Sequence, residues 1–183
     1  MNNKYNLPIY DEWVWGKEFL LSGSKVTDQY TFKILNPKKG KDGCLSLQYH
    51  NEKSETWFCI KGIAWALIIV NNKVCTRIMR PGDIQNLDTG VIHRIMSVTD
   101  DCMISEASTP DRHAADKSVT KDVIRLHCVH GRECISSDII SKETLAESIK
   151  YTEEAINLIE NNKFPEEINS DYLKDYGACF INL

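Results

Sequence analysis

The chain has 183 residues, of which 42% are hydrophobic and 26% charged, and a formal net charge of -4. That is the composition of an ordinary globular protein with room for one folded domain and an appendage. Its lysines and arginines are scattered among more numerous aspartates and glutamates, so no basic face suited to phosphate backbones is expected, and nucleic acid is excluded as a partner.

The N-terminal MNNKYNLPIYDEW has no apolar stretch of a signal peptide, and the longest apolar run, residues 63–70, is too short to span a bilayer. A cytoplasmic protein without a membrane span is therefore expected. Seven cysteines without a close CxxC pair fit reduced thiols better than a disulfide framework.

Residues 31–107 read as short β-strands broken by turn signals. TFKILN precedes the turn PKKGKDG; CLSLQY, TWFCIK and IAWALIIV follow; VNNK leads into KVCTRIM and RPGD into VIHRIMSV; TDD precedes CMISEA. Closely spaced strands without intervening helices imply an antiparallel sandwich or barrel. Beyond Pro110 the polar DRHAADKSVTK reads as a loop. From 141 to 163 the apolar period becomes helical, through Leu145, Ile149, Thr152, Ile156 and Ile159, with Ser141 as N-cap and Phe164-Pro165 as the stop. The expected fold class is all-β with a C-terminal helical appendage, divided into 1–132 and 133–183. The apolar stripe of the helix needs a cover, either the barrel or a second copy in a homodimer.

In a strand, Gln48 and His50 share one face, and Glu55 opens the next strand after only four residues. A second stretch, PGDIQNLDTGVIHRIMS, brings His93. A single histidine in a β-rich core is ordinarily satisfied by hydrogen bonds. Here, however, Gln48-x-His50, four residues, Glu55, six residues and Gly62 precede Gly82, five residues, Asp88-x-Gly90, two residues, His93, three residues and Ser97.

This double pattern resembles the paired motifs of the cupin superfamily, a jelly-roll (double-stranded β-helix) barrel. The wording is most similar to the cupin domain of type II phosphomannose isomerases, often fused to mannose-1-phosphate guanylyltransferases, and to their stand-alone relatives. The likeness takes in Trp15-Gly16, Phe32-Lys33, ISEASTPD and KDVIRLHCVHGRE, and covers about residues 13–132. It implies a divalent transition metal (Zn, Mn, Co, Ni or Fe) held by Gln48, His50, Glu55 and His93. It also implies a small-molecule sugar or sugar phosphate as substrate. The chain departs from the family at Thr56, Asp88, Ser97 and 127–130, and no Gly-rich phosphate loop is found in it, so nucleotide-sugar synthesis is not expected.

Three further residues are candidates. Glu106, on the strand face of Ile104 and Cys102, is placed to act as the general base. Arg125 stands where the isomerases carry an arginine facing the substrate, for catalysis or binding. Lys33 alternates with Phe32 and Ile34 and is a candidate for meeting a phosphate or acid group. HCVHGREC places two histidines and two cysteines within eight residues, but matches no standard zinc spacing. The favoured expectation is aldose-ketose isomerisation through a cis-enediol. A non-catalytic sugar-binding cupin and an Fe(II)-dependent cupin oxygenase stand as alternatives.

Overall fold

The computed structural model describes residues 8–182; residues 1–7, part of the N-terminal stretch in which no signal peptide is expected, and Leu183 lie outside them. The strands are β1 (Ile9–Trp13), β2 (Gly16–Ser22), β3 (Thr31–Pro37), β4 (Leu47–Tyr49), β5 (Glu55–Lys61), β6 (Ala64–Val70), β7 (Lys73–Met79), β8 (Asp83–Leu87), β9 (Ile92–Ser97), β10 (Met103–Ser108), β11 (Ile124–His127) and β12 (Ala178–Phe180). A short helix α1 (Arg112–Ala115) and a long helix α2 (Lys142–Glu160) complete the regular structure, with 3-10 turns at Gly40–Gly43 and Ser170–Tyr176. The paired strands form two antiparallel sheets, ordered β1-β2-β3-β10-β5-β8-β12 and β11-β4-β9-β6-β7. The hairpin β1–β2, which the sequence pattern did not reveal, extends the larger sheet at its edge.

Alternation explains most of the strands. In β3 and β5 every second residue is buried, which is the signature of a sheet with one face on the core. In β6 all residues are buried because the smaller sheet is covered on both sides. Its Ala66, Ile68 and Val70 join Leu35, Trp57, Met79, Ile95 and Ile104 inside the barrel. Trp65, Leu67 and Ile69 join Leu47, Met96, Ala155 and Ile159 on the outside. Asn71 and Asn72, both at positive φ (52° and 57°), turn β6 into β7, the backbone geometry that a two-residue hairpin favours.

Helix α2 begins as expected at Ser141, whose hydroxyl accepts from the Thr144 N–H. Its buried line, however, runs through Thr144, Ser148, Thr152, Ala155 and Ile159, with Leu145 and Ile156 packed at its margin. The apolar period set the stripe slightly off, because close approach of helix and sheet favours small residues on the line of contact. Beneath them Arg94 is fully buried on β9. Its Nε donates to the Leu45 carbonyl at 2.9 Å and one terminal nitrogen to Thr152 Oγ1 at 2.8 Å. The other terminal nitrogen reaches His127 Nδ1 and the His127 carbonyl, both at 2.9 Å. One side chain thus ties β9, β11 and α2 together.

The helix stripe therefore finds its cover in its own chain and calls for no second copy, while β12 pairs with β8 in the larger sheet. Each of the two apolar clusters takes residues from both 1–132 and 133–183, Leu173 in one and Ala155 and Ile159 in the other. No helix of the described residues is long and apolar enough to cross a membrane.

Replacing Ile159, 1% exposed, with Ala should lower unfolding free energy by about 2–5 kcal/mol in a urea titration. Ile149→Ala, at a half-buried position, should cost much less. Equal losses at the two positions would mean that the helix docks through the apolar stripe and not through the line of small residues.

Candidate metal centre

The barrel interior is divided. Besides its apolar cluster the interior carries a set of charged and imidazole side chains. Cross-strand register lines up Glu106 with Lys33 and with Trp57, Gln48 with His93, and Arg125 with Gln48, so each pair lies on one face. Of these, Lys33, Gln48, Glu106 and Arg125 line a cavity of about 570 Å³, together with Glu18, His50 and Lys53.

His50, on this lining, converges with Glu55 and His93, one ligand-capable atom from each lying within 4.8 Å of the others. His93 Nε2 stands 3.3 Å from Glu55 Oε1 and His50 Nε2 3.5 Å from Glu55 Oε2. All three side chains are nearly inaccessible, at 2–3% exposure. Each ring is oriented through its other nitrogen: His93 Nδ1 meets the Val91 carbonyl at 2.9 Å, and His50 Nδ1 meets the Asp122 carbonyl. Since a carbonyl can only accept, both Nδ1 atoms carry the hydrogen and both Nε2 atoms present a lone pair. Neither Nε2 has a hydrogen-bond partner. Two imidazole lone pairs and a carboxylate therefore face one another out of water, an arrangement that repels unless a cation lies among them.

The ring, carboxylate and amide donors suit a first-row divalent ion, and the free Nε2 atoms are the observation that fits this chain to one. Gln48 Oε1 accepts from the Ser46 hydroxyl at 2.7 Å and keeps a second lone pair. Backbone geometry supports the site as well. Gly90, at φ 82°, turns the chain before His93 and donates its N–H to the His50 carbonyl at 2.8 Å.

Lys53, absent from the candidates read in sequence, is the cation already present. Its ammonium forms ion pairs with Glu55 Oε2 and, at 3.1 Å, with Glu106 Oε1. Burial disfavours its charge, but Glu106 and Glu55 hold the ammonium protonated well above the usual lysine range. A raised basicity of this kind makes Lys53 an electrostatic partner and not a nucleophile. Glu55 shows the reciprocal effect. Burial would raise its pKa, yet Lys53, His93 and His50 bring it below the usual carboxylate range.

Of the other candidates, Lys33 points inward but is held between Asp111 at 2.9 Å and Glu18 at 3.5 Å. Arg125 lines the cavity with its buried Nε unpartnered. Arg132, also on the wall, reaches Ser46 Oγ at 3.4 Å and Cys128 Sγ at 3.2 Å. The histidines of HCVHGREC are engaged elsewhere, His127 by Arg94 and His130 by the Cys44 carbonyl. Thr56 faces away from the barrel interior and donates to Asn86 at 2.7 Å. Asp88 is exposed. No local pattern distinguishes Lys53, which enters the site only through the fold; Arg132 belongs to the Gly-Arg of the likeness but is not among the candidates.

Burial lowers the His93 pKa to about 4, against a partial upward pull from Glu55. In metal-free protein the unfolded chain then takes up a proton at pH 6.5 that the native ring does not. Stability should be fully present above about pH 6.5 and fall as pH drops toward 4. His93→Asn should flatten that window in chelator-treated protein; an equally steep loss in the variant would mean that the ring does not titrate as its burial requires.

No protein-family model matches this chain, and no curated protein matches it. Among solved structures it is similar to oxalate decarboxylase from Bacillus subtilis, with a TM-score of 0.54 at 16% identity over 88% of this chain and 39% of that one. It is also similar to the capsular polysaccharide assembling protein CapF from Staphylococcus aureus, with a TM-score of 0.50 at 14% identity over 68% of this chain and 32% of that one. The chain thus spans well under half the length of either. Identities this low speak to architecture alone, and the architecture is the jelly-roll barrel of the cupin fold.

Proposed function

We propose that the protein is a divalent-metal-dependent aldose-ketose isomerase acting on a small anionic sugar, a sugar phosphate above all. The observation that carries this reading is the convergence of two unpartnered imidazole Nε2 atoms on the Glu55 carboxylate, one of the two rings, His50, lining a cavity of about 570 Å³. The motif likeness to type II phosphomannose isomerases supports the choice of reaction. Gln48, His50, Glu55 and His93 would hold the ion. When bound, such an ion supplies Lewis-acid polarisation of the substrate's carbonyl and hydroxyl oxygens.

The remaining chemistry falls to the chain. Glu106, 7% exposed and in register with Lys33, is the base that moves a proton between adjacent sugar carbons. Lys53, shared between Glu55 and Glu106, holds that base beside the Glu55 carboxylate. Lys33 is already balanced by Asp111 and Glu18, so the anion of the substrate is directed to Arg125, whose Nε has no partner. A planar guanidinium also fits phosphate or carboxylate better than an ammonium does.

A screen of sugar phosphates for exchange of the C2 proton with solvent deuterium tests the reading directly. Metal-loaded protein should catalyse exchange, and His50→Ala or His93→Ala should lose most of the bound metal under modest chelator. Glu106→Gln should cut turnover by about 100-fold or more with metal content unchanged. Tight sugar binding without exchange would make the protein a binding module, and oxygen uptake with iron would make it an oxygenase.

Arg125→Lys retains a charge but loses the fork. It should weaken an anionic sugar by about 10-fold or more, a range set by hydrogen bonds to charged groups, and leave a neutral sugar nearly unaffected. Equal weakening of both would remove Arg125 from anion recognition.

A further inference from the structure

The antiparallel pairing of β4 with β11 reaches Tyr49 opposite Ile124. Just beyond it, the chain bends at residues 51–53 toward β5. Pairing does not stop there, because a side chain takes it over. The Asp122 carboxylate accepts three successive main-chain N–H groups, from Asn51 and Glu52 at 2.8 Å and from Lys53 at 2.9 Å. The carbonyl of the same residue accepts from His50 Nδ1. One residue thus holds both the ring of His50 and the turn that carries Lys53.

Asp122 also belongs to the wall of the cavity. Residues 110–113 and 119–123 line it, and Lys121 lies over the Trp13 ring at 4.2 Å from the centroid. Burial opposes the Asp122 charge, but the three N–H donors outweigh it and hold the carboxyl below its usual range. A carboxylate so bound is a fixed strut.

We infer that Asp122 is the positioning residue of the metal centre: its carboxylate anchors the cavity wall on the 51–53 turn, and its carbonyl thereby fixes His50 in the tautomer that leaves Nε2 free. The metal-affinity part of this inference rests on the reading of His50 as a ligand; the tautomer part does not. Partners that orient a ligating histidine through its second nitrogen ordinarily matter to metal affinity by about 10–100-fold.

Two measurements test it on the whole chain. In metal-free, ¹⁵N-labelled protein, imidazole NMR should show His50 as the Nδ1–H tautomer, and Asp122→Ala should shift the ring toward the Nε2–H form. Global destabilisation does not move that signal in a protein that remains folded. In competition with a fluorescent chelator, Asp122→Ala should weaken Zn(II) binding by about 10–100-fold. Asp122→Asn, which keeps one acceptor oxygen, should fall between it and the parent, and carries both tests if the alanine variant does not fold. An Nε2–H tautomer at His50 in the parent overturns the inference, as does an unchanged ring and an unchanged affinity in both variants. Should the parent bind no Zn(II), the ligand reading fails and the His50 tautomer decides Asp122 by itself.

Discussion

A carboxylate buried between two imidazoles sets the terms for the rest of the barrel. Glu55 and its histidine neighbours are 2–3% exposed in their side chains, so none can rely on water. The protein solves part of the problem with an ammonium, placing Lys53 against Glu55 and Glu106. It leaves the Nε2 atoms of both rings open. An interior without any further cation would hold three electron-rich groups in mutual repulsion, which is why the same geometry reads as a binding site and not as a packing accident. Charge balance extends outward from there: Lys33 is shared by Asp111 and Glu18, so the wall bears an almost closed network in which Arg125 stands open.

The outer face of the smaller sheet follows a different logic. Arg94 is a fully buried guanidinium held by neutral acceptors: a carbonyl from residue 45, a hydroxyl from the helix, and a ring and carbonyl from β11. Its three nitrogens are matched to groups from three separate segments, so losing any of them would leave a buried charge short of partners. Helix α2 therefore does more than shield apolar surface. Because inward and outward residues alternate on β9, His93 faces the centre while Arg94 faces the helix, and the covering layer is coupled to the strand that carries a candidate ligand.

The cysteines illustrate how little of the chemistry lies in composition. All seven are free, and Cys44, Cys59, Cys75 and Cys102 are buried. Burial raises the thiol pKa of each of these four, leaving them as small apolar side chains. The reactive possibilities of the barrel sit with carboxylates, imidazoles and cations.

Local features of the chain decided the strands and the turns. Period-two alternation marked β3 and β5, the Asn71-Asn72 pair marked a hairpin, and the Ser141 cap with a helical period marked α2, because each depends on backbone preference and side-chain direction within a few residues. Strand alternation made the shared face of Gln48 and His50 legible, while the grouping of Glu55 and His93 with them was legible only through the likeness of the double motif to the cupin pattern. The helix contact line, the added strands β1, β2, β8 and β12, and the roles of Lys53, Arg94 and Asp122 were decided only in three dimensions. A lysine or aspartate looks alike in sequence whether it is solvated or enclosed. What distinguishes Lys53 is two carboxylates brought to it by β5 and β10, and what distinguishes Asp122 is three N–H groups some 70 residues away along the chain. Electrostatics and burial act through space, and the sequence records neither until the barrel has closed.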